Sequence, residues 1–158
     1  MDPTVRSRVL RQLTYGLYVV TASEGDRVAA GAVAWLTQIS MQPPLVAVGW
    51  SPDSGIAVLA ERTGRFAVNI LGAGQEQIAR AFFAAAVRQG DTLNGVPFRV
   101  GNDGMPILTQ VPAAFECTLK EIHRPGDHLL VVGQVNTVYE LGRMAPLVLS
   151  ITGWHYGG

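Results

Sequence analysis

Gly31 to Trp50 reads GAVAWLTQISMQPPLVAVGW. Within it Ala34, Trp35, Leu36, Thr37, Gln38, Ile39 and Ser40 form a run without charge, closed by Pro43 and Pro44. Apolar stretches on either side, Val28 to Val33 and Leu45 to Trp50, have strand composition, and the prolines punctuate the turn between them. An uncharged run of small, hydroxylic and amide side chains beside strands suits a ligand lying close against backbone.

A second segment repeats the pattern of a strand met by an awkward polar start. Gly126 to Val135 reads GDHLLVVGQV. The turn Pro125, Gly126, Asp127 delivers His128 to the first position of an apolar strand, where an imidazole is placed to meet a substrate.

Outward from these two segments the chain alternates short strands with few helices. Asp2 and Pro3 predict a helix start, and Val5, Val9, Leu10 and Leu13 recur at helical spacing, so this helix is expected to pack against the main sheet. Leu17 to Ala22, Val28 to Val33 and Phe66 to Leu71 read as strands, with a turn at Glu24 to Asp26. Ser54 to Arg62 reads as a short helix ended by Gly64. Gln75 to Ala86 is rich in helix formers, with Ile78, Phe82 and Phe83 on one stripe, and Gln89 to Asn94 reads as a polar loop. Val96 to Met105 holds only short extended pieces, because Pro97, Gly101 and Gly104 interrupt it. Ala114 to Ile122, Leu129 to Tyr139 and Leu147 to Ile151 are expected as three further strands. The fold class is mainly β with peripheral helices, one domain over 1–158 without repeat or linker, and many short strands with Gly and Pro turns favour a β-barrel.

Composition narrows the partners. Apolar residues make up 48% and charged residues 15% of the 158, which describes a well-buried globular chain rather than a disordered one. Formal charge is zero and the basic residues are scattered, so no nucleic-acid or anionic-membrane footprint is present. The start of the chain carries Arg6, Arg8 and Arg11 and no apolar signal region, no stretch approaches the roughly 20 apolar residues of a span, and a cytoplasmic location is expected. The single cysteine, Cys117, falls in the alternating Phe115, Cys117, Leu119 and reads as core.

Four blocks carry a resemblance: SMQPPLV at 40–46, GRFAVN at 64–69, GDH at 126–128 and HYGG at 155–158. Their kind and order resemble the flavin reductase-like family, whose members bind FMN on a split β-barrel. The resemblance implies a Greek-key split barrel of six or seven strands, a homodimer, and FMN (or FAD) reduced by NADH or NADPH. It further implies that the reduced flavin is released or passed to a monooxygenase component. By the same resemblance Ala34, Trp35, Leu36, Thr37, Gln38 and Ser40 would lie along the flavin ring and ribityl chain. Ser51 and Ser54 would meet the phosphate, and His128 the nicotinamide.

One departure bears on the phosphate. Where the family commonly has a basic residue, this chain reads Ser51, Pro52, Asp53, Ser54, and an acid facing a phosphate is unfavourable. Backbone N–H groups at the helix that Ser54 starts offer an anion site instead, with Arg80 or Arg88 as contributors from elsewhere.

Other chemistries are weaker. Gly72, Gly74 and Gln77 lack the third glycine and the βαβ setting of a dinucleotide fingerprint. No G-x-S-x-G elbow is present, and His123 and His155 have no metal-ligand spacing around them. Trp35, Trp50, Trp154 and Tyr156 are candidates for ring stacking, with core packing as the alternative. Two rival readings share the fold: an electron-transfer flavoprotein without efficient NAD(P)H turnover, and a member of the superfamily that has lost its flavin.

Overall fold

The computed structural model describes residues 1–158. Its main body is a seven-stranded sheet in the order β2-β1-β5-β10-β11-β4-β3, every neighbouring pair antiparallel. The strands are β1 (Tyr18–Glu24), β2 (Arg27–Val33), β3 (Leu36–Ser40), β4 (Leu45–Trp50), β5 (Arg65–Ile70), β10 (Ala113–His123) and β11 (Leu129–Glu140). A smaller antiparallel sheet holds β6 (Arg88–Gln89), β7 (Thr92–Leu93), β8 (Val96–Val100) and β9 (Pro106–Leu108).

β1 and β2 join through Gly25 and Asp26, and Gly25 takes φ +60, a conformation that a two-residue hairpin demands and glycine adopts without strain. The uncharged run contains a strand: β3 pairs with β4 across the Pro43–Pro44 turn and forms one edge of the sheet. β10 and β11 are the longest strands, and register shifts at Glu116/Cys117 and Leu119/Glu121 bend them.

The bend wraps the sheet around one interior. Val20, Val33, Val48, Trp50, Phe66, Cys117 and Val131 belong to a single apolar cluster, against which Leu36 of β3 also packs. Gly133 is required there, because a Cβ on it would collide with the Phe66 ring. The cysteine is buried as expected, and its thiol is pushed up to about 12 by burial and by the Glu116 carboxylate.

Helix α2 (Gly55–Thr63) closes one end of this interior with Ile56, Ala57, Leu59 and Ala60. Ser54 caps it by accepting from the Ala57 amide at 3.2 Å, and Gly64 ends it at φ +68. A second apolar cluster, with Leu17, Val19, Leu71, Phe82 and Phe98, fills the space under the smaller sheet.

Three expectations are corrected. Helix α1 (Pro3–Leu10) starts on Asp2 as its sequence predicts, yet it buries nothing: Val5, Val9, Leu10 and Leu13 remain exposed. Its hold on the body is polar, through Ser7 and Arg11 to the carbonyls of Gly158 and Gly157. Helix α3 (Glu76–Ala81) stops short of Ala86 because Phe82 turns into the core and the Asn94 amide takes the carbonyls of Ala81 and Ala85. Leu147 to Ile151 is not a strand. Pro146 and Val148 make single bridges to Gly72 and Gly16, Leu147 hydrogen-bonds through its backbone to Leu17 and Leu71, and a 3-10 turn follows at Leu149–Ile151.

The loop expected at 89–94 is the tight β6–β7 hairpin, turned at Gly90 with φ +58.

Candidate functional site

The end of β4 and the start of α2 bound a groove of about 540 Å³. Val33, Ala34, Trp50, Ser51, Ser54 and Ile56 line one side, and Phe82, Phe83 and Trp154 the other. Its size and its apolar walls with a few hydroxyls match what a cofactor-sized ligand needs. Trp50 is buried, and its indole N–H has no partner.

The polar end of this groove is the start of α2. Ser54 is committed to the helix, since its hydroxyl donates to the Ser51 carbonyl at 2.8 Å while capping Ala57. Gly55 and Ile56 keep first-turn amides that no carbonyl of the helix can accept. Asp53 is exposed and does not line the groove, so the acidic side chain does not face a ligand there. Of the two arginines, Arg80 lies over the Trp154 ring at 5.2 Å, beside the groove. Arg88 is elsewhere, stacked on Phe98 and 3.7 Å from Asp26.

A second cavity of about 480 Å³ lies on the other side of Gly49, lined by Trp35, Leu36, Thr37, Pro125 and His128. Gly49 lines both cavities. Trp35 packs on its Cα, where a Cβ would stand 3.1 Å from the indole. The indole N–H of Trp35 is also buried without a partner.

His128 meets this cavity immediately before β11, half-buried with its side chain 23% exposed. Its Nδ1 is 2.9 Å from an Asp127 carboxylate oxygen and its Nε2 is 2.6 Å from the Tyr156 hydroxyl. The hydrogen bond from His128, and then its charge, hold the exposed Asp127 carboxyl below its ordinary value. A carboxylate only accepts, so Nδ1–H donates to Asp127, and in the neutral ring Nε2 accepts from the Tyr156 hydroxyl. Burial, then the Asp127 charge, raises the Tyr156 hydroxyl and keeps it a neutral donor. The rings gather around Trp35, with His128 at 4.6 Å and Tyr156 at 4.9 Å between centroids.

The residues singled out from sequence therefore fall on two neighbouring cavities. Ala34, Trp50, Ser51, Ser54, Trp154 and Tyr156 line the larger, and Trp35, Leu36, Thr37 and His128 the smaller, so the His128–Tyr156 bond joins the two. Gln38 and Ser40 line neither: the Gln38 amide donates to the Ser40 carbonyl at 3.1 Å on the edge strand, and Gln38 faces a separate hollow with Tyr18 and Phe115. Sequence reasoning missed Phe82, Phe83, Thr14 and Tyr15 as lining residues. The pair Phe82-Phe83, read as part of a helical stripe, was the one visible signal: both lie beyond the end of α3, with Phe82 buried and Phe83 exposed. No group of three His, Cys, Asp or Glu side chains is disposed to hold a metal.

A flat heterocycle with an anionic tail is what the larger groove and its helix terminus suit, with an aromatic hinge separating it from a second cavity. The chain belongs to the flavin reductase like domain family, whose domain matches residues 10–155. A flavin reductase of Pseudomonas putida is 33% identical over 159 residues, covering 100% of this chain and 91% of that protein. Component B of a nitrilotriacetate monooxygenase homologue from Mycobacterium thermoresistibile has the same fold, with a TM-score of 0.81 and 30% identity over 93% of this chain and 82% of that one. The NADH:FAD oxidoreductase SgcE6 of Streptomyces globisporus, solved with NAD and FAD fragments, has a TM-score of 0.80 and 28% identity over 94% and 90% of the two chains.

Proposed function

We propose that the protein is an NAD(P)H:flavin oxidoreductase that moves a hydride from NADH or NADPH to FMN or FAD, as the reductase component of a two-component monooxygenase. The carrying observation is the pair of cavities sharing Gly49, where a flavin in one and a nicotinamide in the other can come into direct contact.

The residues present fit a flavin. A groove of about 540 Å³ and open first-turn amides at α2 supply shape and an anion site. In this reading Ala34 and Trp50 lie against the ring, Ser51 and the amides of Gly55 and Ile56 hold the phosphate, and Arg80 adds positive charge nearby. When bound, the flavin supplies the hydride-accepting centre. The chain's own part is alignment: Thr37 and Leu36 floor the reductant's cavity, and His128 orients the nicotinamide.

The finer architecture belongs to the same proposal. The main sheet is read as a split barrel whose seam lies between β2 and β3, supported by their shared interior cluster. Thr21, Asn69 and Glu116 tie the smaller sheet to it, which supports one domain. The exposed apolar row on α1, with Ile39 and Met41 at the β3 edge, supports a homodimer. No helix is long and apolar enough to cross a membrane, and a cytoplasmic location completes the reading.

The test is an anaerobic visible spectrum of the FMN-loaded protein before and after NADH, then NADPH. Rapid bleaching by either nucleotide is expected and names the donor. Bound but unbleached flavin would replace this reading with electron transfer. Substituting His128→Ala should raise the KM for the nucleotide; an unaltered KM removes that role.

A further inference from the structure

Tyr156 reaches across 28 residues of sequence to put its hydroxyl on His128, and hydride transfer itself has no use for that bond. With Asp127 on Nδ1, both imidazole nitrogens are engaged, and the ring is flanked by Trp35. No polar atom of His128 is left for a nicotinamide.

The segment carrying Tyr156 is tethered rather than loose. Ser7 and Arg11 of α1 donate to the carbonyls of Gly158 and Gly157. Gly157, at φ +79, passes so near Trp35 that a Cβ would lie 2.7 Å from the indole. Trp154 is fixed separately, edge-on to Phe83 at 5.0 Å. Tyr156 itself is 45% exposed, so lifting its ring off Trp35 uncovers little apolar surface.

We propose that Tyr156 is a positioning residue for His128: its hydroxyl occupies the imidazole Nε2 in the resting protein and yields that place to the carboxamide of the nicotinamide nucleotide. The proposal rests on the reductase reading above. The chemistry of exchange is matched on both counts. A carboxamide N–H donates to the same lone pair as the hydroxyl, and the flat nicotinamide replaces the phenol ring against Trp35. Asp127 stays in place and keeps the tautomer that accepts at Nε2. Ser7 and Arg11 act one step further out, setting how readily the segment leaves.

Tyr156→Phe keeps the ring and deletes the donor. The probe is tetrahydro-NADH, a non-reducing analogue, titrated calorimetrically into the FMN-loaded protein. The variant is expected to bind it roughly tenfold more tightly, the worth of one competing hydrogen bond. The KM for the reductant should fall with it while kcat stays within about twofold. Imidazole nitrogen NMR shifts supply a further readout: in the variant the Nε2 resonance should move as it loses its hydrogen bond, while Asp127 keeps the Nδ1–H tautomer. The double variant Ser7→Ala, Arg11→Ala, which leaves the ring cluster intact, should tighten binding by roughly threefold or less.

Wild-type binding with equal or weaker binding by Tyr156→Phe, or an unchanged Nε2 resonance, overturns the proposal while leaving the reductase reading intact. A wild type that binds neither tetrahydro-NADH nor its phosphorylated counterpart overturns both.

Discussion

At the seam between the two sheets the buried polar side chains are fully paired, whereas around Trp35 and the start of α2 polar atoms are left open. Thr21 donates to the Pro106 carbonyl, and Asn69 donates to Val19 and accepts from the Leu108 amide. Glu116 accepts from the amides of Asp103 and Met105 and from the Tyr139 hydroxyl. All three side chains are inaccessible to water. Beside the two cavities, by contrast, the buried indole N–H groups of Trp35 and Trp50 have no partner, and the first-turn amides at the start of α2 stay open. A buried polar group left unpaired costs about 1–3 kcal/mol, so complete pairing marks the part of the molecule that holds the fold. Open donors are tolerated where a ligand supplies the missing acceptor.

The largest expected effect breaks the paired side. Glu116→Ala strands two amides and a tyrosine hydroxyl, and should lower unfolding free energy by about 4 kcal/mol in urea titration. FMN affinity of the folded fraction should be unchanged. A loss under about 1 kcal/mol would mean that the seam is not what secures the smaller sheet.

Alkaline pH probes the same side through its neighbour Cys117. The folded thiol titrates at about 12 against 9.0 ordinarily. Because the folded value is raised, its contribution to stability is whole below pH 9 and is lost as pH climbs towards 12. Thermal midpoints should therefore fall across that window, and Cys117→Ala should flatten the slope. An equal slope in the variant would assign the loss to other groups, of which Tyr18 and Tyr139 are also raised by burial.

On the open side, Ser54→Ala removes the α2 cap and should cost about 1 kcal/mol of stability. It should also weaken FMN, followed by quenching of flavin fluorescence, roughly tenfold by disordering the amides at the helix start. Lost stability with unchanged FMN affinity would move the phosphate away from α2. The smallest effect belongs to Gly49→Ala, whose new methyl would press on the Trp35 ring. It should raise the KM for the reductant about twofold with little change in melting temperature. A large melting shift would make Gly49 a packing residue rather than a spacer between cavities.

Much of this contrast is written locally. Ser54, with Gly64 nine residues past the helix start, brackets α2 because a cap and a left-handed stop act within a turn or two. Asp2 and Pro3 start α1 for the same reason. Strands β1, β2, β4, β5, β10 and β11 follow from runs of branched and apolar residues between turns. The stretch at 34–40 reads in sequence as a candidate binding segment, and its place as an edge strand is not legible there. Its Leu36, Thr37, Gln38 run pairs with β4 only because the proline turn folds it back.

What the sequence by itself determined is the mainly β fold class, the helix boundaries set by caps, and the candidates Ala34, Ser51, Ser54 and His128, because each rests on chemistry within a few residues. Only the tertiary structure decided that Gln38 and Ser40 leave the two cavities, that Asp53 points away from the groove, and that α1 holds the chain's last residues instead of the core. It alone brings Tyr156 onto His128 and Trp35. Those outcomes depend on which strands become edges and which distant segments meet, and no local pattern encodes a contact formed across 28 or 151 residues of chain.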